Sequence, residues 1–246
     1  MGELTTFSII SPKWIKVPEL VEEPVFTGTD IPISEKVARI IKYQFDMGIS
    51  DSIIKGFLFY GPPGVGKTTI AKKVARDVGA YLIFVDGATI ASPRYGDSEQ
   101  IIKKIFTTAK QKGRTIILFD DVESIFMSRD AMGLVREWHF SQNSVFFHEV
   151  DELDTSKAAI ILTTNRYDLV DDAIKDRFYN IEFPKPSLDT LIKIMRKYAE
   201  RQAMTDGRIQ NMENYMKEHP EEFNSIRDVL RFVTKEYIDS IVLSKI

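Results

Sequence analysis

Five short apolar runs punctuate the first three quarters of the chain: Phe57–Tyr60, Tyr81–Val85, Thr115–Phe119, Ala158–Leu162 and Asn180–Phe183. Most show no alternation of apolar and polar positions, which is the pattern of strands buried on both faces of a parallel sheet. Helical patterns lie between several of them. Ser34 opens one, with Val37, Ile40, Ile41 and Phe45 on a single face. Residues 67–78 read as a second helix. Residues 98–112 read as a third, with Ile101, Ile102, Ile105, Phe106 and Ala109 on one stripe. Strands alternating with helices predict an α/β domain, a parallel sheet covered by helices on both faces.

The ends of the chain have a different character. Residues 1–33 carry Pro12, Pro18, Pro24 and Pro32 and show no helical or strand period, so they read as an extended arm or linker. After Pro184-Lys185-Pro186 the strand runs stop. Residues 187–203, about 208–218 and 225–244 read as helices, predicting a small all-helical domain. The expected organisation is an arm at 1–33, an α/β domain at 34–185 and a helical lid at 186–246.

Composition narrows the chemistry. The 246 residues include no cysteine, which excludes disulfides, thiolate catalysis and Cys-ligated zinc. The histidines, His139, His148 and His219, are too dispersed in sequence to suggest a His-based metal site. Charges nearly balance, with 33 Lys and Arg against 36 Asp and Glu, so nucleic-acid or anionic-lipid affinity would need a local basic patch. The run Lys103, Lys104, Lys110, Lys112 and Arg114 reads as a solvated helix face. No apolar run of about 18 residues is present. The N-terminal stretch lacks the pattern of a secretory signal, and the expectation is a cytoplasmic protein.

The strongest motif is Gly61-Pro62-Pro63-Gly64-Val65-Gly66-Lys67-Thr68-Thr69. It fits G-x-x-x-x-G-K-[ST], follows an apolar strand and precedes a helix, the context a phosphate-binding loop requires. Its glycines let backbone N–H groups close around a phosphate, and the helix N-terminus adds partial positive charge. Lys67 is expected at the β- and γ-phosphates, and the Thr68 hydroxyl at Mg²⁺. A second strand ends in Asp120-Asp121. Asp120 is expected to hold Mg²⁺ directly or through water. Asp121 is placed to orient or deprotonate an attacking water. A third strand ends in Thr163-Thr164-Asn165. Asn165 either positions that water, contacts the γ-phosphate or simply closes the strand in a turn.

These residues together resemble an AAA+ ATPase, and more narrowly the AAA clade, over about residues 52–246. GPPGVGKTT resembles the clade's Walker A motif and IILFDD its Walker B motif. Phe147–Leu153 resembles the segment before the sensor-1 strand, and TTNRYDLVDDAIKDRF the stretch that follows it. The resemblance implies that Asn165 is sensor 1 and that Arg177 is an arginine finger reaching a neighbouring subunit's γ-phosphate. It implies that the helical C-terminal region is a lid in which Arg227 occupies a sensor-2 position. It supplies adenine as the base, with Asp30-Ile31-Pro32 a weak candidate for the adenine wall. Ala91–Glu99 resembles the clade's pore loop, with Tyr95 before Gly96 and Arg94 in the usual aromatic position. The clade usually has Glu where this chain has Asp121. Glu123 lies two residues on; it either compensates for the shorter Asp121 or, as its place in a turn predicts, faces solvent. The aromatics Trp138, Phe140, Phe146 and Phe147 read as core or interface packing.

The function implied is Mg²⁺-dependent ATP hydrolysis driving remodelling or translocation of a macromolecule, with protein favoured as client, in a homo-oligomeric, hexameric ring. Two alternatives come from other classes. Arg94 and Arg227 suggest a nucleic-acid-associated loader or packaging factor. Asp121 in place of Glu suggests a slowly hydrolysing, ATP-gated switch or scaffold.

Overall fold

A computed structural model describes residues 7–18, 20, 22–25, 28–90, 97–125 and 137–243, with side chains for all of these except 88, 89, 97, 124, 137–142, 242 and 243. The strands are β1 (Ser8–Ile10), β2 (Gly56–Tyr60), β3 (Tyr81–Asp86), β4 (Thr115–Asp120), β5 (Ala158–Thr164) and β6 (Tyr179–Glu182). The helices are α1 (Ile33–Asp46), α2 (Lys67–Val78), α3 (Gly87–Ile90), α4 (Asp97–Lys112), α5 (Glu137–Asp151), α6 (Asp172–Arg177), α7 (Leu188–Arg201), α8 (Asp206–Glu218) and α9 (Ile226–Leu243). By their contacts the residues form two compact units. One comprises Met1–Pro18, Val25–Gly61 and Lys67–Glu182; the other comprises Glu19–Pro24, Pro62–Gly66 and Phe183–Ile246.

Among the described residues, the first unit holds one six-stranded sheet in the order β1-β3-β4-β5-β2-β6. The pairings from β3 through β6 are parallel, and β1 joins antiparallel at the edge. Every residue of β5 is buried, as are the first five of β4, which explains why neither run alternates. The order carries a consequence for chemistry. β5 is flanked by β2 and β4, so the C-terminal ends of these three strands lie side by side. The residues just beyond parallel strands gather along that edge, where open α/β sheets bind ligands.

The core of the first unit is largely aliphatic, with a group of aromatic rings set into it. Phe146 of α5 meets Phe119 of β4 edge-on at 5.4 Å and Phe106 of α4 at 6.0 Å. Phe119 and Phe146 are fully buried, so the aromatic pairs add to area burial. Phe146 thus answers the question left by the aromatic-rich stretch: it is a core residue. The side chains of Trp138, His139 and Phe140 lie outside the described residues.

β1 and α5 depart from the sequence reading, as do the short helices α3 and α6. Residues 1–33 were expected to lack a strand, yet Ser8–Ile10 pairs with β3, Ser8 opposite Phe84 and Ile10 opposite Leu82. Three residues are too few to display a period, and it is the edge of β3 that recruits them. Helix α5 shows no clean stripe over its described side chains: Phe146 and Val150 are buried one turn apart, but Val145 and Phe147 beside Phe146 also pack against the core, so the apolar run keeps neither a helical nor an alternating period.

The second unit contains α7, α8 and α9 around its own core, in which Leu191, Met195, Ile209, Met212, Met216, Val229 and Val233 are buried. Ser187 caps α7 by accepting the Thr190 N–H at 3.2 Å. Glu22, from the arm, pairs with Lys193 of α7 at 2.9 Å within this unit. Among the described residues, no helix is long and apolar enough to cross a membrane.

Candidate nucleotide site

Chain order separates Lys67, Asp120 and Asn165 by some fifty residues each, and the adjacency of β2, β5 and β4 brings them within hydrogen-bonding reach. Lys67, the first residue of α2, is 5% exposed. A buried ammonium needs acceptors, and Lys67 Nζ donates to the Gly61 carbonyl and to Asn165 Oδ1, each at 2.8 Å. Asn165 passes the contact on, its Nδ2 donating to Asp121 Oδ1 at 2.9 Å. Next to Lys67, the Thr68 hydroxyl donates to Asp120 Oδ1 at 2.7 Å. The structure therefore assembles Lys67, Thr68, Asp120, Asp121 and Asn165 into one polar network.

Two further residues belong to it. Thr163, 1% exposed, donates its hydroxyl to Asp120 Oδ1 at 2.6 Å and accepts the Asp121 N–H at 3.1 Å. Its signal in the sequence was a polar residue inside an apolar, doubly buried strand. Glu123 is the second, and the expectation that it faces solvent is corrected. Its Oε1 accepts the Asn165 backbone N–H at 3.2 Å, and its Oε2 is buried without a hydrogen-bond partner among the described residues. The 3₁₀ turn Val122–Ser124 directs the side chain back toward β5 instead of outward.

Electrostatics reinforce the picture. Burial raises the Asp121 carboxyl pKa above its ordinary value, and the charges of Asp120 and Glu123 add to the rise while Lys67 opposes it. Thr68 and Asp120 offer oxygen atoms of the kind Mg²⁺ prefers, a hydroxyl beside a carboxylate. Buried Lys67 offers the point charge suited to phosphate oxygens. The residues fit a Mg²⁺-nucleotide.

The loop residues Pro62–Gly66 group with the second unit. Gly64 and Gly66 have φ of 77° and 100°, values that favour glycine. A Cβ on Gly64 would lie 2.8 Å from Ser225 Oγ and 3.1 Å from Arg227 Cβ, so the glycine also permits close packing within that unit. Arg227, in the first turn of α9, is exposed.

Arg177 joins none of these contacts. It ends α6, pairs with Asp151 of α5 at 3.2 Å and sits 4.7 Å over the Phe147 ring. Sequence reasoning missed both of its supports. Nearby Lys175 is engaged by Asp172 at 2.9 Å. Arg94 and Tyr95 lie outside the described residues. Lys103, Lys104, Lys110 and Lys112 are exposed on α4, and Arg114 pairs with Asp46 at 2.7 Å. His219 gathers with Glu221 and Glu222 at the surface of the second unit, but Glu222 is already engaged by the Tyr215 hydroxyl.

Comparison with known proteins adds an independent line. A profile of the ATPase family associated with various cellular activities (AAA) matches residues 57–185, just over half of the chain. The chain is 30% identical over 207 residues to the proteasome-activating nucleotidase of Saccharolobus solfataricus, covering 78% of this chain and 53% of that protein. It is 35% identical over 212 residues to the proteasome-activating nucleotidase of Sulfurisphaera tokodaii, covering 80% and 53%. It is 31% identical over 161 residues to the 26S proteasome regulatory subunit 8 homolog of Schizosaccharomyces pombe, covering 62% and 40%. The chain thus spans about half the length of the nucleotidases it matches. The profile runs from β2 to just past β6 and so takes in Lys67, Asp120, Asp121 and Asn165; the chain belongs to the AAA family of ATPases.

Proposed function

We propose that this chain binds ATP with Mg²⁺, hydrolyses it to ADP and phosphate, and uses the cycle to remodel or translocate a protein client within a cytoplasmic ring of copies, six by resemblance. The contact relay Lys67–Asn165–Asp121 carries the reading: it joins the phosphate-binding lysine to the acid that activates water through one amide. In this reading Lys67 holds the β- and γ-phosphates, and Gly61, Pro62, Pro63, Gly64, Val65, Gly66 and Thr69 frame them. Thr68 and Asp120 hold Mg²⁺. Asp121 takes the proton of the attacking water while Asn165 orients it. Arg177 serves a neighbour's nucleotide, Arg227 acts from the lid, and Arg94 and Tyr95 grip the client. Relatives named for proteasome activation and for 26S proteasome regulation support a protein client over a nucleic acid.

The test is ATPase rate per subunit against protein concentration with Mg²⁺. A rate that climbs steeply and then levels is expected, because the site is completed between subunits. Arg177→Ala should bind ATP without turnover, and mixing it with Lys67→Ala subunits should restore part of the rate, since each supplies what the other lacks. A rate independent of concentration would refute the shared site. Tight ATP binding with no turnover at any concentration would favour the switch, in which case Asp121→Glu should turn hydrolysis on.

A further inference from the structure

We infer that Glu123 is a positioning residue for ATP hydrolysis, setting the angle of Asn165 through its backbone N–H. The inference rests on the reading of Asp121 and Asn165 as the pair that handles the attacking water. Asn165 immediately follows β5, whose pairing with β2 ends at Thr164 among the described residues, and its N–H is accepted by Glu123 Oε1 at 3.2 Å. That contact spans forty-two residues of sequence and ties the turn after β4 to the end of β5. The side chain of the same Asn165 divides its two ends between Lys67 and Asp121 at 2.8 and 2.9 Å. A rotation of the main chain at 165 would break both side-chain contacts together. Glu123 therefore acts on the water through Asn165, without touching the nucleotide. Its length suits the task. The carboxylate has to return from a 3₁₀ turn to the neighbouring strand, and an aspartate there is one methylene short.

Three substitutions separate reach from charge. Glu123→Gln keeps the accepting oxygen and removes the charge. Glu123→Asp keeps the charge and loses the reach. Glu123→Ala loses both. Steady-state ATPase of the full chain at saturating concentration should give kcat for Gln within about threefold of the parent, and kcat for Asp and Ala lower by about tenfold, the worth of one orienting hydrogen bond. KM for ATP should stay within about threefold throughout, because Lys67 and Thr68 are untouched. Amide hydrogen exchange at Asn165 should follow the same ranking, slow in the parent and Gln, and at least about tenfold faster in Asp and Ala. Turnover or protection in Asp equal to or above that in Gln would overturn the inference, as would parent-like kcat in all three. If Ala fails to fold, the Gln and Asp ranking decides. If the parent shows no turnover, the exchange ranking still decides whether Glu123 holds Asn165, and the lost activity counts against the hydrolysis reading instead.

Discussion

Replacing Thr163 by Val tests whether the network beneath the phosphate site stabilises the fold as its geometry implies. The two side chains have nearly the same volume, so the change removes a hydroxyl while leaving the packing of β5 almost intact. Two contacts go with it: donation to Asp120 at 2.6 Å and acceptance of the Asp121 N–H at 3.1 Å. A hydrogen bond to a charged group contributes about 1.5–3 kcal/mol, and leaving the partly buried Asp121 N–H without Thr163 costs about 1 kcal/mol more. Asp120 keeps its bond from Thr68, which limits the damage on its side. The expected loss is about 3–4 kcal/mol. Thr163→Ser keeps the hydroxyl and deletes one methyl, for about 1 kcal/mol. In urea unfolding followed by circular dichroism, the two variants should differ by about 2–3 kcal/mol, a midpoint gap of about 1 M if the slopes match. Val and Ser variants within about 0.5 kcal/mol of each other would refute the argument and reduce the network to a crowding of polar atoms.

Three other outcomes follow from the same geometry. Asp121 has a raised carboxyl pKa, so the folded state holds its proton more tightly than the unfolded chain and ionisation costs stability as pH rises through that window. Asp121→Asn should then be at least as stable as the parent by thermal unfolding at about pH 7, with the advantage fading as pH falls through the raised pKa. An advantage that grows on acidification would reverse the sign, and turnover should fall by about a hundredfold in either case. Gly64→Ala meets both a φ of 77° and a Cβ 2.8 Å from Ser225 Oγ, whereas Gly79→Ala meets a φ of 72° with nothing within 4 Å; only the former should weaken binding of a fluorescent ATP analogue, by at least about tenfold. Ala203, exposed beyond α7, has a φ of 53°, so Ala203→Gly should raise stability by about 0.5 kcal/mol by denaturant titration, relief of strain exceeding the entropy cost.

Legibility followed the burial of each element. β2, β3, β4 and β5 are sealed on both faces or nearly so, and their continuous apolar runs announced them within a residue or two. α1, α2, α4 and α7 each carry one apolar stripe wide enough to show a helical period. β1 and α5 lacked such a signature, since one is three residues long and the described part of the other sets Val145, Phe146 and Phe147 in one unbroken apolar run. The site divides along a similar line. Lys67, Thr68 and Asp120 sit in motifs whose spacing is dictated by one local turn each. Thr163 and Glu123 act across strands, and their contacts depend on the register of β4 against β5, in which Phe119 faces Leu162 and Asp120 follows beside Thr163. A reading of single segments finds the residues at strand ends and cannot tell which turn will fold back over them.

The orientation of the Asn165 amide follows from its two neighbours. Lys67 can only donate, so the atom facing its ammonium must be the carbonyl oxygen. Ionised Asp121 can only accept, so the atom facing its carboxylate must be the amino group. Flipping the amide would set donor against donor at one end and acceptor against acceptor at the other, so a single orientation satisfies both. The backbone at Asp121 makes this possible. Its φ of 53° and ψ of 55° lie in the left-handed region, which Asp tolerates better than most residues. In that conformation its N–H meets Thr163 and its carboxylate meets Asn165. A side chain one methylene shorter than glutamate thus reaches the amide because the main chain turns toward it. The charge state of residue 121 is then coupled to Lys67 through one amide. Protonating Asp121 weakens the acceptor at one end and loosens the grip on the Nδ2 group, while the Lys67 contact to Oδ1 and the main-chain contact to Glu123 stay in place.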